Sequence, residues 1–225
     1  MSAQAKKSKR SIYGVHPGVA MMQKWIQELK GKTGRSLDEW VAFVKKEGPK
    51  SETERRDWLK SKYELGTNGA WWIAERAEGK GDDEDSDERY LEAAAKYVEE
   101  QYAGKKEALR SIYESILQLV GQLGADVKAC PCKTIVPLYR RHVFAQIKPT
   151  TNTRVDLGLA LTHFKGKLPK RIVDTGGSAK KDRITHRIEI TSIAQIDDEV
   201  KKWLKIAYEA RQVRIQLALK EQETN

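Results

Sequence analysis

The run Gly79-Lys-Gly-Asp-Asp-Glu-Asp-Ser-Asp-Glu88 divides this chain into two stretches whose apolar residues recur at different periods. It offers no apolar side chain for burial and contains two glycines, so residues 80–88 read as a solvated acidic linker. Before it, apolar residues fall at the three-to-four spacing of a helix face. Val19, Met22, Trp25, Ile26 and Leu29 form one stripe, Leu37, Trp40, Val41 and Val44 a second, Trp58 and Leu59 a third, and Ala70, Ile73, Ala74 and Ala77 a fourth. After it, two more stripes (Leu91–Tyr102 and Leu109–Leu123) give way to short β-branched and alternating runs. These are Val127–Cys130, Thr134–Tyr139, Val143–Ile147, Arg154–Leu161, Arg171–Asp174 and Ile184–Thr191. A last helix follows from about Ile196.

Local signals sharpen this outline. Pro17 can open the first helix, and Gly31 is expected to end it. Ser36 with Glu39, and Ser51 with Glu54, fit the capping box, while Gly48 and Gly66 close the second and third helices and Thr67 caps the fourth. Most connections between the strand runs are short, which favours antiparallel pairing over crossovers. The expected fold class is α+β. A small all-helical domain (16–79) precedes a two-layer domain (89–225) whose mainly antiparallel sheet carries two helices on one face. Residues 1–15 are expected to form a basic flexible tail.

Charge is distributed as unevenly as period. The 225 residues carry a formal net charge of +10. Residues 51–103 are net acidic, whereas 128–187 hold fourteen basic residues against only Asp156, Asp174 and Asp182. No apolar run approaches the roughly 18 residues of a membrane span, and the cationic start has no apolar stretch behind it, so a cytoplasmic protein without a membrane partner is expected. Cys130 and Cys132 are too few and too close to staple a secreted fold. With no four-ligand set nearby, they read as thiols rather than a metal site, a disulfide between them remaining open.

Thr33-Gly-Arg-Ser-Leu-Asp-Glu-Trp-Val41, Trp58-Leu59-Lys60 and Leu65-Gly66-Thr67-Asn68-Gly69-Ala70 resemble a bacterial family known as domain of unknown function 4287, over roughly residues 20–80. Lys133-Thr134, Tyr139-Arg140-Arg141, Phe144-Ala145-Gln146-Ile147-Lys148-Pro149 and Arg154-Val155-Asp156-Leu157-Gly158-Leu159 resemble a second family, domain of unknown function 5655, over about 107–210. The resemblance implies a pairing of the two domains in one bacterial chain, and a module found as a tail on proteins labelled nuclease-like or predicted transport proteins. It brings no catalytic residues.

Candidate sites follow from the charge map. Arg140, Arg141, Lys148 and Arg154 lie on or beside strands, and Lys180, Lys181 and Arg183 form a further cluster. Phosphate binding needs cations at several points along one face, and Tyr139 and Phe144 stand among them as rings on which an unpaired base can stack. Trp71 and Trp72, following a turn at Glu64-Leu65-Gly66, have the placement of a helix-turn-helix second helix but not its cations, and read instead as core plus one exposed docking ring. Asp174–Lys181 is glycine-containing but lacks nucleotide-loop spacing. Asp156 and Glu189 read as isolated carboxylates on separate strands, which gives no hydrolytic metal site, and His186 with Asp174 is a conceivable cross-strand pair.

The expectation is therefore non-enzymatic binding of DNA or RNA by the basic α+β domain, with no cofactor and no metal. Two alternatives stand beside it: an adaptor that docks a protein partner through the Trp-rich helical domain, and a small-ligand binder or enzyme using a cleft between sheet and helical domain. The sequence does not fix the oligomeric state.

Overall fold

The computed structural model describes residues 12–210, and the chain folds as two compact units. The helical unit comprises Val15–Ala93, and the α+β unit takes the described residues on either side of it, 12–14 and 94–210. The division falls within one helix rather than in the acidic run. Among the described residues no helix is long and apolar enough to cross a membrane.

Four helices build the helical unit: α1 (Pro17–Thr33), α2 (Leu37–Glu47), α3 (Glu52–Tyr63) and α4 (Thr67–Ala77). Both expected capping boxes form, Ser36 with Glu39 and Ser51 with Glu54, each side chain meeting an amide the first turn leaves without a partner. Other helix ends differ from expectation. Gly31 lies on an open face inside α1, and the helix ends two residues later because Gly34, at φ 81°, takes the left-handed cap and donates to the Lys30 carbonyl. Glu64 rather than Gly66 turns left-handed after α3, and Gly66 is the N-cap of α4, with Thr67 as its first helical residue. The unit closes around Leu29, Trp40, Val44, Leu59, Ala70 and Ile73.

The acidic run is folded. Asp82–Glu84 make a 3-10 turn, Asp82 pairs with Arg89 and Asp85 with Arg76, and α5 (Asp87–Gln101) starts inside the expected linker. Two cations supplied from either side give these carboxylates partners that the composition alone does not reveal.

In the α+β unit, the second half of α5 and α6 (Arg110–Gly121) precede six strands: β1 (Lys128–Ala129), β2 (Val136–Tyr139), β3 (Val143–Pro149), β4 (Val155–Leu159), β5 (Ile172–Asp174) and β6 (His186–Ile190). They form one antiparallel sheet in the order β1-β2-β3-β4-β6-β5, and α7 (Asp198–Glu209) follows. Side chains alternate across the sheet. Val136, Leu138, Ala145, Ile147, Val155, Leu157, Leu159, Ile188 and Ile190 share one buried cluster with Ile112, Ile116 and Val120 of α6 and Val200, Trp203 and Leu204 of α7. This is the expected α+β layer pair, and the opposite face is polar. Of the residues expected as tail, 1–11 lie outside the described residues. Ile12 and Tyr13 instead join the α+β unit: the Ile12 carbonyl accepts from Ala129, Gly14 donates to the Ala129 carbonyl, and the Tyr13 hydroxyl meets that of Tyr113 at 2.8 Å.

Candidate functional site

Antiparallel register brings two basic loops to one end of the sheet. Leu138 faces Ala145, Ala145 faces Leu159, Leu159 faces His186 and His186 faces Asp174, so a single row crosses five strands. The β2–β3 connection (140–142) and the β5–β6 connection (175–185) both leave from that end. The first is closed by the Arg140 amide donating to the His142 carbonyl at 3.1 Å. The second folds on itself. The Asp174 carboxylate accepts from the Gly176 amide at 2.7 Å, and the Asp182 amide donates to the Gly177 carbonyl at 2.9 Å. Gly177 is required there, because a Cβ would stand 2.4 Å from the Ile184 carbonyl oxygen.

Arg183 of the second loop reaches His142 of the first, with Nη1 3.1 Å from Nδ1. Guanidinium only donates, so this ring nitrogen is the acceptor. Around this contact Arg141, Lys180, Lys181 and Arg183 are exposed, and among the described residues no carboxylate pairs with any of them. Four such cations on two adjoining loops can engage successive anionic groups.

Of the other candidate cations, Arg140 and Arg154 serve the fold. Arg140 pairs with Asp126 and lies 4.4 Å over the Tyr208 ring, and its hydrogen bond to Asp126 raises its pKa further. Asp126 is held below the usual carboxylate range by the Tyr208 hydroxyl first and Arg140 second. Arg154 pairs with Asp156 and Glu189. Lys148 is exposed on the polar face, opposite Asp156 in register. Phe144 is 4% exposed and packs edge-on against Tyr208 at 5.5 Å. The register passes from Leu138–Ala145 to Tyr139–Val143 and leaves Phe144 as a bulge residue, buried rather than available to a base. Tyr139 is half-buried, and burial raises its hydroxyl pKa.

The carboxylates also depart from expectation. Asp156 and Glu189 are direct partners across β4 and β6, tied together by Arg154 and Arg187. Alternation on β4 and β6 was the signal, but using it needed the knowledge that these non-consecutive strands are neighbours. Asp174 and His186 are register partners, yet Asp174 accepts from Gly176 and His186 Nδ1 meets the Thr185 hydroxyl at 2.9 Å. Neither Cys130 nor Cys132 is in a disulfide, and burial pushes the Cys130 thiol up to about 12. Among the described residues no group of three metal-ligating side chains comes together. In the helical unit Trp71 is 42% exposed and Trp72 sits edge-on to Trp25 at 4.8 Å. Arg76, the one cation of α4, is 8% exposed and bound to Asp85, so α4 offers no free cation to a DNA groove.

No curated protein and no solved structure matches the chain. The family model described as Domain of unknown function (DUF4287) matches residues 21–78, covering the four helices of the helical unit almost end to end. A second, described as Domain of unknown function (DUF5655), matches residues 98–211, just over half of the 225, and takes in every strand and both basic loops. The chain accordingly belongs to the DUF5655 family and carries a DUF4287 domain on its N-terminal side.

Proposed function

We propose that the α+β unit is a non-enzymatic nucleic-acid-binding module whose contact surface is the paired basic loops at one end of the sheet. The observation that carries this reading is the set Arg141, Lys180, Lys181 and Arg183, exposed on adjoining loops with no carboxylate partner among the described residues. A cation already bound to a carboxylate gains little from a phosphate, whereas a free one releases a counterion from the nucleic acid. Arg140, Arg154 and Phe144 are therefore assigned to the fold, and Lys148 and Tyr139 to the margin of the surface. A cytoplasmic setting belongs to the same reading.

The test is titration of the full chain with labelled single- and double-stranded oligonucleotides over a range of salt. Replacing all four cations by Ala is expected to weaken binding to every sequence alike and to flatten the duplex salt slope by about 0.9 per lost contact. The melting temperature should hardly move. An unchanged slope with all four removed refutes the proposal.

The exposure of Trp71, with Met21 at 59%, supports a second reading in which the helical unit docks a protein. Apolar docking tolerates high salt where phosphate contacts do not. Trp71→Ala then abolishes a salt-tolerant association and leaves oligonucleotide binding unchanged.

A further inference from the structure

We infer that the helical unit contains an aromatic box for an organic cation of the quaternary ammonium class, occupied in this structure by the chain's own Arg35. The Arg35 guanidinium carbon lies 4.1 Å from the Phe43 ring centroid, 4.7 Å from Trp40 and 5.9 Å from Tyr63. Trp58 backs this three-sided box, stacked on Phe43 at 5.7 Å and edge-on to Tyr63 at 5.0 Å, with Lys62 Nζ 5.9 Å from the Trp58 and Tyr63 rings on its far side. Among the described residues no carboxylate pairs with Arg35, which is unlike Arg55 and Arg76 of the same unit. On its buried side its charge is met by ring faces, which suit weakly hydrated cations.

The rings are positioned by contacts that do not involve the Arg35 side chain. Trp40 is placed by its indole Nε1 donating to Thr33 Oγ1 at 2.8 Å, and that hydroxyl in turn donates to the Leu29 carbonyl at 2.8 Å. The other rings brace one another: Trp40–Tyr63 at 5.4 Å and Phe43–Tyr63 at 5.5 Å, both edge-to-face. Arg35 itself sits on the short connection between the α1 cap Gly34 and the α2 cap Ser36. Its side chain can leave the rings without breaking a helix hydrogen bond. Phe43, Trp58, Tyr63 and Arg35 are half-buried, so the box has an open side. A quaternary ammonium has no N–H to satisfy and loses little hydration on entering such a site, whereas a tethered guanidinium competes through its high local concentration.

The experiment titrates the full chain with choline and with 3,3-dimethylbutanol, its neutral isostere, reading tryptophan fluorescence and heat. Arg35→Gln is expected to bind choline about tenfold more tightly than the wild-type chain and about tenfold more tightly than the isostere, with Tyr63→Leu in the same background removing the gain. A folded Arg35→Gln chain with no saturable response to about 100 mM choline, or an equal response to the isostere, overturns the proposal. Should Arg35→Gln unfold the unit, Arg35→Lys keeps a cation in the box but stacks less well, and choline affinity must then rise above wild type. Equal affinity overturns it as well.

Discussion

In the helical unit the cations that matter to the fold are held: Arg55 by Glu78, Arg76 by Asp85, and Arg35 by three ring faces. In the α+β unit the division runs through the unit itself. Arg140, Arg154 and Arg171 are bound to carboxylates, while among the described residues no carboxylate pairs with Arg141, Lys180, Lys181 or Arg183 on the two loops. The sum of charges over a segment counts both kinds alike. Only pairing separates a cation that closes a fold from one available to a partner, and an arginine beside its neighbour in sequence, as Arg140 is beside Arg141, can fall on the other side of that line. The cores differ too. One is a small aliphatic core around the single buried ring of Trp40, flanked by the half-buried rings of Phe43, Trp58 and Tyr63, and the other is built mainly from aliphatic side chains projecting from one sheet face.

The largest test of this contrast removes a ring. Trp40 is buried against Phe43, Tyr63 and Arg35, and Trp40→Ala is expected to cost about 3–5 kcal/mol. Its apolar cluster contains no residue of the sheet, so amide hydrogen exchange should accelerate in α2–α4 and stay slow in β3 and β4. Equal acceleration in both units would break the picture of two separately held cores.

A smaller effect separates the two kinds of arginine. Arg154→Ala leaves Asp156, only 9% exposed, with Thr150 and a more distant Arg187, and should lower stability by about 1–3 kcal/mol. Arg141→Ala removes an exposed cation that has no carboxylate partner among the described residues and should stay within about 0.5 kcal/mol of wild type. Urea unfolding measures both. Equal losses would mean that pairing is not what distinguishes them.

What the sequence made legible was local. Both capping boxes sit within four residues, and the six strand runs carry their own alternation, so the helices before the acidic run and the strands after it were readable directly. What was not legible depended on distance or register. Phe144 reads as an outward ring until a bulge turns it toward Tyr208, sixty-odd residues away. Arg140 reads as free because its partner, Asp126, precedes it by fourteen residues across a different strand. Asp156 and Glu189 read as isolated because β4 pairs with β6 and not with β5. The Arg35 box escaped because its rings come from two helices and its cation from the loop before them.

The finest test compares how each unit caps a helix. At α1 the cap is His16, whose Nδ1 accepts from the Gly18 amide at 3.0 Å, and burial lowers its pKa. At α7 it is Asp197, whose pKa is lowered by the Val200 amide first and Arg171 second. Both folded values lie below the unfolded ones, so in each case the unfolded chain binds more protons in the intervening window and stability rises with pH. The windows differ. The His16 contribution, about 1 kcal/mol by analogy with other N-caps, is fully present above its ordinary value of 6.5 and is lost as pH falls through the lower folded value. The Asp197 contribution persists until pH falls below its ordinary 3.8. Between pH 7.5 and 5, once the intrinsic slowing of amide exchange at lower pH is divided out, protection of the α1 amides should therefore fall while that of α7 stays level. His16→Asn, which keeps an acceptor but does not titrate, should flatten the α1 response; an undiminished response in that variant would assign the titration to another group.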